Sequence, residues 1–469
     1  MFTPNDVSHS SQWHCFEATA GLNLPAAWNK ATGAGVRVAV IDTGYRPHAD
    51  LAADLVGGYD FIGDTFVAND GNGRDSDASD PGDATAAGEC GAGTPASPSS
   101  WHGTHVAGTI AAVTNNGVGV AGVAFGAKVV PVRALGKCGG YTSDIADAIV
   151  RASGGTVSGV PANAYPAKVL NLSLGGGGAC DTTTQNAIDS ARSRGAVVVV
   201  AAGNSNANAA NHSPASCAGV ITVAATNRSG GRAYYSNDGT VVDVAAPGGD
   251  VRSSSTNGIL STLNSGTGAP AGDSYAWYQG TSMATPHVAG VVALMRQANP
   301  ALTPDEVEAR LKSSARAFPA TCSQCGTGLV DADAAVTAAT GGGSGGGGGT
   351  TPTPVAEVES NNTRSSAQLV SVNPALVNGR IASTTDTDYY RVSLAAGRTL
   401  TSTLTPPASA DYDLYIYNSS GTQVASSTNG TGAVDAVAVT NTGTSAATVY
   451  VRVRYDSGGA GNYTLGLSQ

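Results

Sequence analysis

"GVRVAVIDTG", residues 35–44, is a near-continuous apolar run that halts on an acid, a hydroxyl and a glycine. A half-buried strand alternates apolar with polar residues, so a run of this kind is expected where both faces of a sheet are covered. Three further runs read the same way: "KVVPVRAL" (128–135), "AKVLNLSL" (167–174) and "GAVVVVAAG" (195–203). Helical patterns stand at 102–113, 143–152, 183–193 and 304–315. The alternation predicts an α/β fold with a parallel central sheet flanked by helices. Such sheets bind ligands beyond the carboxyl ends of their strands, which directs attention to the residues after each run.

The 469 residues are too many for one core. "GGGSGGGGGTTPTP" (341–354) reads as a flexible glycine tract stiffened by prolines. It divides the sequence into an α/β domain at 1–340, a linker at 341–354 and a second domain at 355–469. In the second domain "DTDYYRVSLAAG", "YDLYIYNSSG", "AVDAVAVTNTG" and "ATVYVRVRYDSGG" alternate apolar and polar residues and end in turn signals. They predict a small antiparallel β-sandwich.

Only 12% of residues are charged, five are lysine, and the net charge is −10. Such a surface argues against nucleic acid or anionic membranes as partners and suits acidic groups gathered around hard cations. No apolar run approaches the ~20 residues of a membrane span. The opening "MFTPNDVSHSSQ" has neither the basic nor the apolar part of a signal peptide. The seven cysteines show no metal-finger spacing, and Cys322-x-x-Cys325 lacks a thioredoxin-like context, so disulfides in an oxidising compartment are expected. A processed, secreted protein follows as the expectation.

"QGTSMATPHVAG" (279–290) sets Ser282 just ahead of an apolar helix, with Val288, Val291, Val292 and Met295 repeating on one face. Pro286 is read in the first turn, where its missing N–H costs nothing. Ser282 is then either an ordinary helix cap or a nucleophile at the positive end of a helix dipole. "SWHGTHVAGTIAAV" (100–113) starts another helix with His102; His105, one turn later, lacks an acidic metal co-ligand and reads as a core residue. Asp42, His102 and Ser282 all stand where a strand or helix ends. A two-aspartate hydrolase would need a second D-T-G, and only Asp456-Ser457-Gly458 in the β-module approximates one. An α/β-hydrolase elbow fails on order, since its residues run Ser–Asp–His and these run Asp–His–Ser.

The segments "VAVIDTG", "HGTHVAGT" and "GTSMATPHVAG" resemble the three signatures of the subtilisin-like serine proteases, the subtilases, over roughly residues 3–340. The resemblance implies peptide hydrolysis through an acyl-enzyme. Ser282 would attack, His102 would act as general base and then acid, and Asp42 would orient the imidazole. Asn204, in "AAGNSN" (201–206), would be the side-chain donor to the oxyanion. "CGGY" (138–141) and "SLGG" (173–176) are similar to the family's substrate strands, giving Gly139, Gly140, Tyr141, Ser173, Leu174 and Gly175 as partners of an extended peptide. The wall at 173–176 and 201–204 shows no acidic residue, so broad endoproteolysis with apolar or aromatic residues before the cut is expected. A monomer that folds as a zymogen with a propeptide is expected as well.

"TPNDV" (3–7), "HADL" (48–51) and "VTNNGVGVAG" (113–122) resemble the strong calcium site of the thermitase-like branch. The implied ligands are side chains of Asp6, Asp50 and Asn116 and carbonyls of Val113, Val118 and Val120. The polar "VSHSS" after "PND" departs from an aromatic pair frequent in the family. "DGNGRDSDASDPGD" (70–83) resembles a calcium loop and adds Asp70, Asp77 and Asp80 as candidate ligands, against a solvated acidic insertion. Pairing Cys90 with Cys138 and Cys180 with Cys217 would brace both cleft walls, with Cys322–Cys325 local and Cys15 left over. Residues 355–469 resemble the bacterial pre-peptidase C-terminal domain through "VESNNT" (358–363), "DTDYYRVSL" (386–394) and "YDLYIYN" (412–418). Such modules bind extracellular matrix or insoluble protein, or are removed in maturation. Asp386, Asp388, Asp411 and Asp413 read as exposed loop carboxylates rather than calcium ligands. The rival class is an adhesive or matrix-binding protein with the protease fold as an inert scaffold, which an intact Asp–His–Ser set disfavours.

Overall fold

The apolar runs become strands buried at nearly every position. With three strands that the sequence reading missed they make one seven-stranded sheet. Its members are β1 (Arg37–Asp42), β2 (Tyr59–Asp60), β3 (Lys128–Arg133), β4 (Val169–Leu172), β5 (Val197–Ala201), β6 (Ile221–Thr226) and β7 (Val244–Pro247). The order is β2-β3-β1-β4-β5-β6-β7, and every pairing is parallel. The missed strands are short or alanine-rich, which weakens the β signal. The computed structural model describes residues 2–340, 353–443 and 445–469, so residues 341–352 of the expected linker lie outside the described residues. Pro354, read as linker, lies in the strand Thr353–Ala356. The chain divides into two compact units, Met1–Gly348 and Gly349–Gln469.

Alternation along each strand sends side chains to opposite faces and builds two cores. Val38, Val40, Val129, Val197 and Val199 join one core; Ala39, Ile41, Val130, Val198 and Val200 join the other. Four helices cover these faces: α1 (His102–Ala111), α2 (Thr142–Ala152), α3 (Thr182–Ser193) and α4 (Thr281–Ala298). Val106, Ile110, Val288 and Leu294 bring α1 and α4 to the first face, while Ile149 and Ile188 bring α2 and α3 to the second. The start of α1 lies almost against the end of β1. A Cβ at Gly103 would sit 2.1 Å from the Gly44 carbonyl oxygen, so only glycine permits this approach.

The second unit holds two five-stranded sheets. One orders Thr353–Ala356, Ala375–Ile381, Gly461–Ser468, Thr399–Thr405 and Asp435–Thr440; the other orders Gln368–Leu369, Thr387–Leu394, Ala447–Ser457, Asp411–Asn418 and Gln423–Ser427. Val377, Leu404 and Leu465 of the first share one core with Tyr390, Leu414 and Val451 of the second, as in a β-sandwich. The sheets are mixed rather than purely antiparallel. The edge strands Thr353–Ala356 and Gln368–Leu369 pair in parallel, which the long connections to their partners allow.

Candidate active site

Asp42 ends β1 and His102 begins α1. Asp42 Oδ1 accepts hydrogen bonds from His102 Nδ1 and from the Thr43 N–H, both at 2.7 Å. Asp42 is fully buried and its Oδ2 has no hydrogen-bond partner among the described residues. With Nδ1 engaged, Nε2 is the imidazole nitrogen left for base chemistry. Burial works to lower the His102 pKa, but the charge and hydrogen bond of Asp42, aided by Asp83 and Asp80, outweigh it, and the pKa is raised.

A hydroxyl locks the two elements together. Thr43 Oγ1 accepts from the Gly103 N–H at 3.0 Å and donates to the buried Asp80 Oδ2 at 2.8 Å. Trp101, just before His102, takes a left-handed φ of 49°; its indole N–H donates to the Gly266 carbonyl at 2.6 Å. That buried ring holds a backbone shape unfavourable for a bulky residue. Neither Thr43 nor Trp101 was singled out from the sequence. The D-T-G triplet itself carried the signal for Thr43.

Ser282 is the second residue of α4, and it does not cap the helix. Asn204 caps it from outside, its Oδ1 accepting from Thr281 N–H at 2.8 Å and Thr281 Oγ1 at 2.9 Å. That leaves the Asn204 amide Nδ2 without a hydrogen-bond partner among the described residues. Buried Asn237 fixes the loop that follows Asn204, accepting from the Ser205 and Ala207 N–H groups. Pro286 corrects its sequence reading: it is the sixth residue of α4, beyond the first turn. Its missing N–H leaves the Ser282 carbonyl without a helical donor, and Ser173 Oγ donates there instead, at 2.8 Å. Ser282 Oγ in turn donates to the Ser173 carbonyl at 3.2 Å; no hydrogen bond joins it to His102. Ser173 and His102 line one cleft of about 380 Å³, and α1 packs against α4.

Gly139, Gly140, Leu174 and Gly175 line an adjoining cleft of about 820 Å³. Tyr141 is exposed, with its hydroxyl donating to Asp64 at 3.3 Å. Asp181 also lines this cleft, an acid that sequence reasoning did not place there. Its carboxylate is committed to capping α3 through the Thr184 N–H and hydroxyl. Disulfides join Cys90–Cys138, Cys180–Cys217 and Cys322–Cys325, and Cys15 is free and buried.

The loop 113–120 runs between two buried acids, Asp6 and Asp50. Asp6 accepts from the Asn115 and Asn116 N–H groups, and Asp50 from the Val120 N–H and the Asn116 amide. No lysine or arginine pairs with either acid among the described residues. Burial pushes the Asp50 pKa up, and the Asp6 charge adds to this. Among the described residues the carbonyls of Val113, Val118 and Val120 accept no hydrogen bond. Two uncompensated buried carboxylates beside three unengaged carbonyls fit a calcium ion. The acidic loop differs. Arg133, buried, pairs with Asp60 and with Asp70, Asp77 caps the Ser79 N–H, and Asp80 turns to Thr43. Among the described residues Asp70, Asp77 and Asp80 do not gather into one cluster, and arginine pairs with Asp70 alone of the three.

A parallel sheet with a buried acid bonded to a partly exposed imidazole and a serine at a helix N-terminus, all beyond the carboxyl ends of the strands, defines the class of subtilisin-like serine proteases. Residues 33–345 match the Subtilase family, and the chain belongs to it. It is 65% identical over 339 residues to the extracellular protease of Xanthomonas campestris pv. campestris, covering 72% of this chain and 57% of that protein. The chain thus spans just over half the length of that relative. Thermitase of Thermoactinomyces vulgaris is 35% identical over 337 residues, covering 71% of this chain and 99% of thermitase. A solved protease of Pseudoalteromonas arctica is 65% identical with a TM-score of 0.71, covering 72% of this chain and 100% of that one.

Proposed function

We propose that this chain is a secreted serine endopeptidase that cleaves extended peptide segments through an acyl-enzyme. The observation that carries the reading is the hydrogen bond from His102 to buried Asp42, on the cleft that His102 lines with Ser173, the residue that holds Ser282. On substrate binding, Ser282 Oγ turns from the Ser173 carbonyl toward His102 Nε2, a contact that in resting enzymes is often long. His102 takes the hydroxyl proton as oxygen attacks the scissile carbonyl, and Asp42 stabilises the imidazolium. The Asn204 amide and the Ser282 N–H, free in the first helical turn, receive the oxyanion. His102 then gives its proton to the leaving amine, and water repeats the sequence to release the acid.

Glycines 139, 140 and 175 leave room for a substrate main chain, which supports recognition by backbone pairing. With Asp181 occupied, apolar or aromatic residues before the cut are favoured. Asp6, Asp50, Asn116 and the carbonyls of Val113, Val118 and Val120 would hold calcium, which would neutralise the paired acids and fasten the loop. Three disulfides and the extracellular naming of the Xanthomonas relative support secretion. No helix among the described residues is long and apolar enough to cross a membrane. We assign residues 1–340 to the peptidase, folding as a zymogen and acting as a monomer, and 355–469 to a sandwich that engages matrix or insoluble protein. Mass spectrometry of products from a denatured protein mixture tests the reading. Wild type gives internal cleavages after apolar residues and Ser282→Ala gives none; equal cleavage by both would refute it.

A further inference from the structure

A cavity of about 640 Å³ opens at the amino ends of three parallel strands. Arg37 begins β1, Lys168 immediately precedes β4, and Gly195 stands two residues before β5. The cavity also takes in the end of α4, through Arg296 and Gln297, and the start of α5 (Pro304–Ser314), through Thr303 and Pro304. A strand rises ~3.3 Å per residue, so Arg37 lies roughly 17 Å from Asp42 along β1. The cavity therefore shares no residue with the candidate active site.

The charge of its lining is of one sign. No acidic residue lines it, and Arg37, Lys168 and Arg296 pair with no carboxylate among the described residues. The acids at the start of α5 are occupied. Asp305 pairs with Arg192, and Glu306 accepts from the Thr303 N–H and hydroxyl. Arg296 is only 7% exposed; its two terminal nitrogens donate to the Leu302 and Gly195 carbonyls, and its Nε has no partner. Burial lowers its pKa, and the Glu306 charge opposes this only in part. Lys168 Nζ donates to the Arg194 carbonyl at 2.5 Å, and the Arg37 guanidinium lies over the Tyr165 ring, 5.7 Å from its centroid. Gln297 Oε1 accepts from the Thr32, Gly33 and Ala34 N–H groups, which leaves its amide nitrogen as a further donor. Donors short of acceptors thus gather at one place in a chain of net charge −10.

Val36, Pro166, Pro300 and Leu302 add an apolar wall beside these donors. The planar guanidinium of Arg37 matches the two oxygens of a carboxylate, and Lys168 adds a point charge. The volume suits a small organic ligand. We propose that this cavity binds a carboxylate carried on an apolar body, and that the C-terminal end of a cleaved peptide is its occupant. Each peptide bond hydrolysed leaves one new terminal carboxylate, and cleavage after an apolar residue sets that carboxylate beside an apolar side chain. The choice of occupant rests on the cleavage preference proposed above, whereas the carboxylate site stands without it. An apolar wall also favours such a group over inorganic phosphate, which has no apolar part to bury.

The test is calorimetric titration of the full chain in the Ser282→Ala form. The probes are N-acetyl-Ala-Ala-Phe as the free acid, the same peptide as its C-terminal amide, 3-phenylpropionate and inorganic phosphate. The peptide acid is expected to bind roughly tenfold or more tighter than the amide, and Arg37→Gln with Lys168→Gln, both at exposed positions, should remove that advantage. An unchanged Tm in this double variant shows that the fold is intact, and with Ser282 restored it should keep the kcat of wild type. Asn204→Ala should leave the titration unchanged, which separates this cavity from product held in the catalytic cleft. Equal binding of acid and amide, or undiminished binding in the double variant, would overturn the site. Binding of 3-phenylpropionate or phosphate as tight as that of the peptide acid would overturn the peptide as occupant. Products that do not end in apolar residues would refute the cleavage preference alone, since these titrations decide the site independently.

Discussion

Replacing Thr43 with valine keeps the shape of the side chain and deletes one hydroxyl. That hydroxyl accepts from the Gly103 N–H at 3.0 Å and donates to Asp80 at 2.8 Å, with Gly103 and Asp80 both buried. A neutral hydrogen bond contributes about 1 kcal/mol and one to a carboxylate about 1.5–3, and both partners would be left unsatisfied. The loss is therefore roughly 2.5–4 kcal/mol, which in a unit of this size lowers Tm by roughly 3–6 °C. The same bond sets the start of α1 against the end of β1, so His102 should also shift on Asp42, lowering kcat about tenfold or more. Calorimetry in the Ser282→Ala background avoids self-digestion, and a peptide anilide reports kcat in the active form. Thr43→Ser should restore both. If Thr43→Val melts within about 1 °C of wild type and keeps kcat within about twofold, the coupling of β1 to α1 through this hydroxyl is wrong.

Because Asp42, Asp83 and Asp80 raise the His102 pKa, the acid limb of kcat/KM should lie above the ordinary ~6.5; Asp83→Asn should move it to lower pH. The sign for stability runs the same way: the protonated pair stabilises the fold below ~6.5, and that contribution is lost as pH rises through the folded-state pKa. Asn204→Ala should lower kcat by about 10²–10³-fold, a range taken from removal of one oxyanion donor in a subtilisin. It also strips the cap from α4, so a matching Tm measurement separates the two effects. Ser173→Ala should destabilise by about 1–3 kcal/mol, since the Ser282 carbonyl that Pro286 leaves free would lose its donor. Chelation of calcium should lower the Tm of the first unit, by about 2.7 kcal/mol of lost stabilisation if the ion had been present at 100 times its Kd, and Asp50→Asn should abolish the calcium response.

Long apolar runs made the central sheet legible, because a strand buried on both faces has no polar positions to blur its signal. β6 and β7 were not legible: two alanines break the apolar run of "ITVAAT", and "VAAP" is only four residues long and half alanine. Asp42, His102, Ser282 and Asn204 were legible as candidates because each follows or begins an element whose pattern is strong. The acidic loop was misjudged for a physical reason. Five aspartates in fourteen residues suggest a cation, but they turn to separate partners, Asp70 to Arg133, distant in sequence, and Asp80 to Thr43, which no local spacing shows. Asp388, read as an exposed loop acid, is buried inside the strand Thr387–Leu394, a position its polar neighbours in sequence did not reveal. Pro286 shows the same limit, because the donor that compensates for it comes from residue 173.

Ser282 as a nucleophile activated by His102 is tested most directly by a fluorophosphonate and peptide mapping by mass spectrometry. Wild type should carry one adduct, on Ser282, formed fast above the His102 pKa, with the rate falling by several orders of magnitude in His102→Ala. An adduct on another residue, or an undiminished rate in His102→Ala, would contradict the assignment.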